Sequence, residues 1–169
     1  MDKIFIVGID PGKNGGITSI TNGKITTIDD MPKSPGDLWE HFLFLGFPHQ
    51  PEGIQPYVFI EQVHSMPTDG VRAAFTFGYN TGQLHLCVDR LCDGFTFVLP
   101  SKWMAHFDLK RDKQETKYAY KKRIVETARS KTKKVDVASI TLKTADAYLI
   151  ALYGYHLIKQ KQKQKEEKE

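Results

Sequence analysis

Near its start the chain carries Ile4-Phe5-Ile6-Val7-Gly8-Ile9-Asp10-Pro11-Gly12, an apolar and β-branched run that ends in one carboxylate. Such a run predicts a strand that is buried on both faces. Pro11 and Gly12 predict a turn directly after Asp10. A carboxylate at the end of a buried strand is unfavourable unless it is paired or binds a metal, so Asp10 is a candidate metal ligand. The alternative is that Asp10 only initiates the turn.

A second strand of the same kind is Val58-Phe59-Ile60-Glu61, which again ends in a carboxylate. If both strands belong to one open sheet, Asp10 and Glu61 lie side by side. Two neighbouring carboxylates repel each other, and a hard divalent cation with oxygen ligands relieves that repulsion. The alternative for Glu61 is a salt bridge at the end of the strand.

The composition predicts one globular domain. The chain has 169 residues, of which 40% are hydrophobic and 26% are charged, enough for one full core. No apolar run is long enough to span a membrane, and no secretion signal is visible. Cys87 and Cys92 match no zinc motif, which favours reduced, half-buried thiols. We therefore expect the protein in the cytoplasm, or in the host cytoplasm if a phage encodes it, with an organelle as a further option.

The charge is distributed unevenly along the chain. Residues 1–100 carry 6 basic and 11 acidic side chains, whereas residues 101–169 carry 18 basic and 9 acidic ones. A basic half beside an acidic half with candidate metal ligands is typical of an enzyme that acts on a polyanion. The alternative is a solvated helix face with charged ends.

Hydrophobic periodicity and turn signals predict a mixed α/β domain over residues 1–158, followed by a charged, solvated tail over 159–169. Asn22-Gly23 between two β-branched runs predicts a hairpin, and residues 3–29 are predicted to form three antiparallel strands. Two more strands are predicted at 57–61 and 95–99. The predicted helices are 38–45, 71–91, a short one from Pro100, a basic one at 110–130, and 142–158, with a loop or short strand at 135–140.

Asp146 stands among small and apolar residues of the last predicted helix, in Lys143-Thr144-Ala145-Asp146-Ala147. If this helix packs across the ends of the first and fourth strands, Asp146 joins Asp10 and Glu61. Three convergent carboxylates leave room for two divalent cations, which can clamp the attacking water and the leaving oxygen of a phosphodiester. Mg²⁺ keeps several waters, so three carboxylates suffice. The alternative for Asp146 is an exposed helix position.

Three motifs in order resemble the RuvC family of Holliday-junction resolvases, a branch of the RNase H-like superfamily. They are Gly8-Ile9-Asp10-Pro11-Gly12, Ile60-Glu61-Gln62-Val63 and Ala145-Asp146-Ala147-x-x-x-Ala151. Phe77-Gly78-Tyr79 with Gly82, and Pro100-x-x-Trp103, are similar to the phage and organellar branches. The similarity extends over about residues 4–155, and the three motifs together are much more specific than Asp-Pro-Gly alone.

The resemblance implies an RNase H-like fold, in which three antiparallel strands and two strands added through helices form a mixed five-stranded sheet flanked by helices. It implies a homodimeric, Mg²⁺-dependent endonuclease that nicks two opposing strands of a four-way junction. Mn²⁺ is expected to substitute, with two ions in each active site. Asp10, Glu61 and Asp146 fall on the metal-binding acids of the family.

Lys143 stands where bacterial members commonly carry a fourth acid and some carry His. Lys143 precedes Asp146 by three residues, so both are predicted to share one helix face. Lys143 could contact the scissile phosphate or stabilise charge in the transition state. The alternative is a surface lysine.

The resemblance also implies DNA contacts. His64 follows the second motif, near the position where bacterial members stack an aromatic side chain on an unpaired base. Lys113, Lys117 and Lys121 are predicted to share one face of the basic helix, and Lys117 falls where the family contacts the DNA backbone. Lys102 is a further candidate.

Other functions remain open at this stage. A broader nuclease would also cut forks and flaps, and a catalytically weak protein would only bind junctions. An actin-like or sugar-kinase ATPase needs two domains, for which 169 residues are too few. A Rossmann protein is disfavoured because Gly12-x-x-Gly15-Gly16 does not fit G-x-G-x-x-G and a hairpin follows it. No nucleotide cofactor is therefore expected.

Overall fold

The structure, a computed structural model, describes residues 3–51, 54–64, 70–132 and 134–167. Its strands and helices, in chain order, are β1 (Lys3–Asp10), β2 (Gly16–Thr21), β3 (Lys24–Asp30), α1 (Pro35–Phe44), β4 (Ile54–Glu61), α2 (Val71–Leu91), β5 (Phe95–Val98), α3 (Pro100–His106), α4 (Lys117–Ser130) and α5 (Ala145–Glu166). None of these helices is long and apolar enough to cross a membrane.

The five strands form one mixed sheet in the order β3-β2-β1-β4-β5. β2 is antiparallel to β1 and to β3, whereas β4 is parallel to β1 and to β5. Asn22 and Gly23 both have positive φ angles, 50° and 78°, as a two-residue hairpin turn requires. The predicted topology is therefore confirmed.

Helices cover both faces of the sheet. Consecutive residues of β1 point to opposite faces, so this strand contributes side chains to a core on each side. Ile4 and Ile6 belong to a core that includes α4 and α5. Phe5, Val7 and Ile9 belong to a second core that includes α1 and α2. The apolar run of β1 is thus buried on both faces, as the sequence predicted.

α5 packs directly on β1 at Gly8. A Cβ atom at Gly8 would lie 2.3 Å from the backbone nitrogen of Ala151 and 2.4 Å from the carbonyl oxygen of Ala147. Only a residue without a side chain permits this approach. Ala147 and Ala151, with their small side chains, allow the helix backbone to come equally close from its own side. This contact places the first turn of α5 next to the C-terminal end of β1.

The start of the basic helix was predicted wrongly. Instead of beginning near Lys110, α4 begins at Lys117. The Thr116 hydroxyl accepts a hydrogen bond from the backbone N–H of Ala119 at 3.2 Å and so caps the helix. Arg123 holds the preceding loop by two hydrogen bonds to Glu115, at 3.0 and 2.8 Å.

The bounds of α5 also differ from the prediction, since it spans Ala145–Glu166. The backbone N–H of Thr141 donates to the Thr144 hydroxyl at 2.9 Å, which forms a separate turn before the helix. From Lys159 to Glu167 the side chains are exposed, so the charged tail continues the helix beyond the core. Residues 134–139 form a 3₁₀ helix where a loop or strand was predicted.

β4 begins earlier than predicted and contains Pro56. β5 pairs with β4 only from Val58 onward, so Pro56 lies where β4 has no partner on that side, a position that tolerates proline. α1 begins at Pro35, before its predicted start, and β5 ends one residue earlier than predicted. Both cysteines are free and buried. The predicted loop at 65–69 lies outside the described residues.

Gly8→Ala should lower the free energy of unfolding by about 3 kcal/mol, because the added methyl meets backbone atoms that cannot yield. Gly36→Ala is the matched control, since a Cβ there would meet only the Ser34 hydroxyl at 3.8 Å. The control should raise stability by up to about 1 kcal/mol. Urea denaturation measures the free energy of unfolding of each variant. Equal changes in Gly8→Ala and Gly36→Ala would contradict the close contact between α5 and β1.

Candidate active site

Asp10 and Glu61 leave the sheet at the same edge. β1 and β4 are parallel, and Ile9 pairs with Ile60, so the next residue of each strand is one of the two acids. The backbone N–H of Gly12 donates to the Asp10 carboxylate at 3.0 Å. The turn folds back so tightly that a Cβ at Gly15 would lie 2.2 Å from the carbonyl oxygen of Asp10. Glycine at this position therefore keeps the turn beside the carboxylate.

Glu61 is 7% exposed and has a fixed orientation. The indole N–H of Trp103, in the middle of α3, donates to the Glu61 carboxylate at 2.9 Å. Burial is the main cause that raises the pKa of Glu61 to about 7, and the charges of Asp10 and Asp146 add to it. The Trp103 hydrogen bond and Lys121 act in the opposite direction. Glu61 is therefore poised between its charged and neutral forms near neutral pH.

Asp146 completes the set from the first turn of α5 and is 5% exposed. Its charge also raises the pKa of Asp10, second only to burial among the raising causes, whereas the Gly12 N–H and Lys121 lower that pKa. The three carboxylates thus share one electrostatic environment. The charge of Asp146 thus acts on both Asp10 and Glu61, and the metal-binding role of all three stays a prediction.

The two oxygens of Asp146 have different surroundings. Oδ2 forms an ion pair with the ammonium group of Lys121. Oδ1 is buried and has no hydrogen-bond donor within the described part of the chain. Because a buried carboxylate oxygen without a partner is costly, this atom is suited to a ligand.

The donor chemistry of the site fits a hard divalent cation, which prefers carboxylate oxygens. In the observed side-chain conformations, however, the described residues contain no cluster of three Asp, Glu, His or Cys side chains close enough together to bind one ion. The group that neutralises Asp146 is Lys121. A cation would therefore have to compete with this lysine for Asp146.

Lys143 lies at the edge of this site and not within it. It precedes α5, and its ammonium group forms an ion pair with Asp30 at the end of β3. Both side chains are about half exposed. The expectation that Lys143 shares a helix face with Asp146 is therefore wrong, since the turn at Thr141 and Thr144 separates it from the helix. Its catalytic role stays a prediction.

The predicted DNA-binding residues occupy different places. Lys113 lies in the loop before α4, so the proposed helix face of three lysines does not form. Lys117 is exposed at the first position of α4, and Lys102 is exposed on α3. His64 is exposed in the segment after β4. Lys121 points into the carboxylate site and not toward bulk solvent.

A cleft of about 340 Å³ adjoins Asp10. Its walls are the turn after β1, the segment after β3, one side of α2 and Lys143. Lys13, Lys33 and Lys143 bring three ammonium groups to the cleft, and Asp30 brings one carboxylate. The cleft is therefore basic overall, and it begins at the turn that follows Asp10, although none of the three candidate metal ligands lines it.

Sequence reasoning missed two contacts of the site. The Trp103–Glu61 hydrogen bond was signalled only by the Pro100-x-x-Trp103 resemblance, which gave Trp103 no role. Lys121 lies on the face of α4 that carries the buried residues Ile124, Val125 and Ala128, and this helical spacing could have revealed its inward direction.

Comparisons with known proteins identify the fold. No protein-family model matches the chain, and no curated protein matches it. The solved structure of Thermus thermophilus RuvC in complex with a Holliday junction substrate superposes with a TM-score of 0.62 at 15% identity, covering 92% of this chain and 96% of that one. A second structure of Thermus thermophilus RuvC superposes with a TM-score of 0.54 at 14% identity and the same coverage. The chain therefore has the RNase H-like fold of RuvC.

Proposed function

We propose that this protein is a divalent-cation-dependent endonuclease that resolves four-way DNA junctions by paired symmetric nicks. The convergence of Asp10, Glu61 and Asp146 at one edge of the sheet carries this proposal, together with the unpartnered oxygen of Asp146. The fold is shared with a RuvC whose structure contains a Holliday junction substrate. The basic half of the chain supports a polyanionic substrate.

In this proposal Asp10, Glu61 and Asp146 hold two Mg²⁺ ions, for which Mn²⁺ can substitute. When bound, such ions activate the attacking water and stabilise the charge that develops on the leaving oxygen. The protein's own hydrogen bonds orient the carboxylates that would bind these ions. The Gly12 N–H fixes the Asp10 carboxylate and the Trp103 indole fixes that of Glu61, so the ligands need little rearrangement.

Protons compete with cations for Glu61, because its pKa lies at about 7. A protonated carboxyl group is a poor metal ligand. Below neutral pH we expect Glu61 to hold a proton and the site to lose affinity for cations. Activity should therefore rise with pH through the range in which Glu61 ionises.

We propose that the backbone of the cleaved strand follows the cleft beside Asp10. Lys13, Lys33 and Lys143 line this cleft and can contact phosphates, which position a nucleic acid without reading its sequence. Lys117 on α4 supplies a further exposed cation. Lys102, Lys113 and His64 remain candidates for more distant contacts.

Paired nicks require two active sites, and the exposed face of α2 is suited to a second copy of the chain. Val71, Phe75 and Tyr79 are exposed on it, and the rings of the latter two stack with centroids 6.5 Å apart. A Cβ at Gly78 or Gly82 would meet nothing within 4 Å. A face with large exposed aromatic groups and two glycines permits close helix packing across a two-fold axis.

Asp10→Asn should reduce nicking of a synthetic four-way junction in Mg²⁺ to background while leaving junction binding largely intact, because it removes a ligand charge without changing shape. Gel analysis of end-labelled strands and fluorescence anisotropy measure the two quantities. Asp37→Asn, an exposed acid of α1, is the control and should cleave at the wild-type rate. Nicking by Asp10→Asn at the wild-type rate would refute the assignment of Asp10 as a metal ligand. If the wild type cut forks and flaps as fast as four-way junctions, its substrates would be branched DNAs in general.

The metal-free protein should lose stability as pH rises from about 4.5 to about 7. In this window folded Glu61, with its pKa raised to about 7, keeps a proton that the unfolded chain has released, so unfolding becomes easier. The loss should be about 3 kcal/mol, at about 1.4 kcal/mol for each pKa unit. Glu61→Gln should remove most of it, whereas Glu40→Gln on the exposed side of α1 should not. Urea denaturation at several pH values checks this, and a wild-type slope in Glu61→Gln would contradict it.

Phe75→Lys should convert a dimer into a monomer, because it places a charge in the centre of the proposed interface. Phe44→Lys is the matched control, since Phe44 on α1 is 75% exposed and Phe75 is 74% exposed. Light scattering coupled to size exclusion measures the mass. We expect the monomeric variant to give unpaired nicks. A wild-type mass for both variants would show that α2 does not mediate dimerisation.

A further inference from the structure

Lys121 is placed inside the carboxylate site by the packing of α4. The buried residues Ile124 and Ala128 hold α4 against the core that contains α5, and Lys121 lies one turn before Ile124. Its ammonium group forms an ion pair with Asp146 and also acts electrostatically on Asp10 and Glu61. The lysine thus faces all three candidate metal ligands.

Neighbouring lysines of the same helix have no such position. Lys117 and Lys122 are exposed, whereas the Lys121 side chain is 36% exposed and the Asp146 side chain with which it pairs is 7% exposed. The general positive charge of this segment therefore does not account for the contact. The contact between Lys121 and Asp146 depends on the face of α4 on which residue 121 lies.

An ammonium group and a divalent cation on the same carboxylate repel each other, so each weakens the binding of the other to Asp146. The absence of a gathered set of three metal ligands among the described side chains agrees with this. Asp146 Oδ2 is occupied by Lys121 while Oδ1 has no donor within the described chain. A cation that takes this carboxylate would push the ammonium group away.

We propose that Lys121 is a mobile counter-ion that holds Asp146 while the site lacks a cation and, once displaced by one, binds a phosphate of the DNA backbone. The flexible four-carbon stem of lysine allows its ammonium group to exchange between two anions. Cation binding and DNA binding are then coupled, and the coupling is reciprocal. The first half needs only the three carboxylates, whereas the second half rests on the proposed nuclease function.

The first half is tested with metal alone. Titration calorimetry measures Mn²⁺ binding to the full chain without DNA, in the wild type, Lys121→Met, Lys121→Arg and Lys122→Met. Lys121→Met should bind Mn²⁺ about 10-fold more tightly, within the usual range of coupling between two ligands. Lys121→Arg keeps the competing charge and should stay near the wild type, as should Lys122→Met, which removes the same charge from an exposed position.

Equal Mn²⁺ affinity of Lys121→Met and Lys122→Met would overturn the competition. Thermal denaturation without metal identifies a variant that fails to fold, and Lys121→Gln then replaces Lys121→Met. This measurement does not involve cleavage. Tighter Mn²⁺ binding by Lys121→Met would therefore support the competition even if the protein cut no DNA.

The second half is tested by the affinity for a four-way junction, measured by anisotropy with and without Mn²⁺ within a time over which gel analysis of end-labelled strands shows that the DNA is uncut. In the wild type Mn²⁺ should strengthen binding several-fold more than in Lys121→Met, because only the wild type releases an ammonium group to the DNA. Equal strengthening in both would overturn the transfer to phosphate. Failure of the wild type to bind any branched DNA would instead refute the proposed function.

Discussion

The approach of α5 to β1 is the constraint on which the site depends. Gly8 lets the backbone of the helix contact the backbone of the strand, and Ala147 and Ala151 present no bulk in between. Asp146 immediately precedes Ala147, so its depth above the sheet is set by this packing. A rigid backbone contact therefore fixes where a buried charge lies relative to Asp10.

The electrostatic consequence is a site that would be unstable without compensation. Burial raises the pKa of Asp10 and Glu61 and so disfavours the ionised forms of these two carboxylates. The chain moderates this by an N–H donor at Gly12 and by the ammonium group of Lys121. These contacts lower the cost of the charges but leave room for a stronger cation.

Much of this arrangement could be predicted from the sequence. Strands that end in Asp10 and Glu61, and a helix with Asp146 among small residues, are local patterns that directly report buried strands and a packed helix face. The mixed sheet followed from the hairpin at Asn22-Gly23 and the parallel strands that came later. The fold is shared with RuvC at 15% identity, because strands and packed helices need only a residue class at each position and not a particular residue.

The side-chain directions at the site could not be predicted in the same way. Lys143 was expected beside Asp146, but the turn before α5 directs it to Asp30. Lys121 was expected on the DNA face, but it lies on the face of α4 that packs on the core, and it pairs with Asp146. The error at Lys143 came from a helix end, where hydrophobic periodicity does not locate the first residue of the helix. The error at Lys121 came from placing three lysines on one exposed face, although Ile124, Val125 and Ala128 follow Lys121 at helical spacing and are buried.

The hydrogen bond from Trp103 to Glu61 links an aromatic chromophore to the ionisable centre. The chain contains two tryptophans, and only one of them donates to this carboxylate. A proton or a cation that changes the charge of Glu61 also changes the electric field on the Trp103 indole. The protein thus carries an intrinsic fluorophore in its own site, so the occupancy of the carboxylates is accessible to optical spectroscopy without a label.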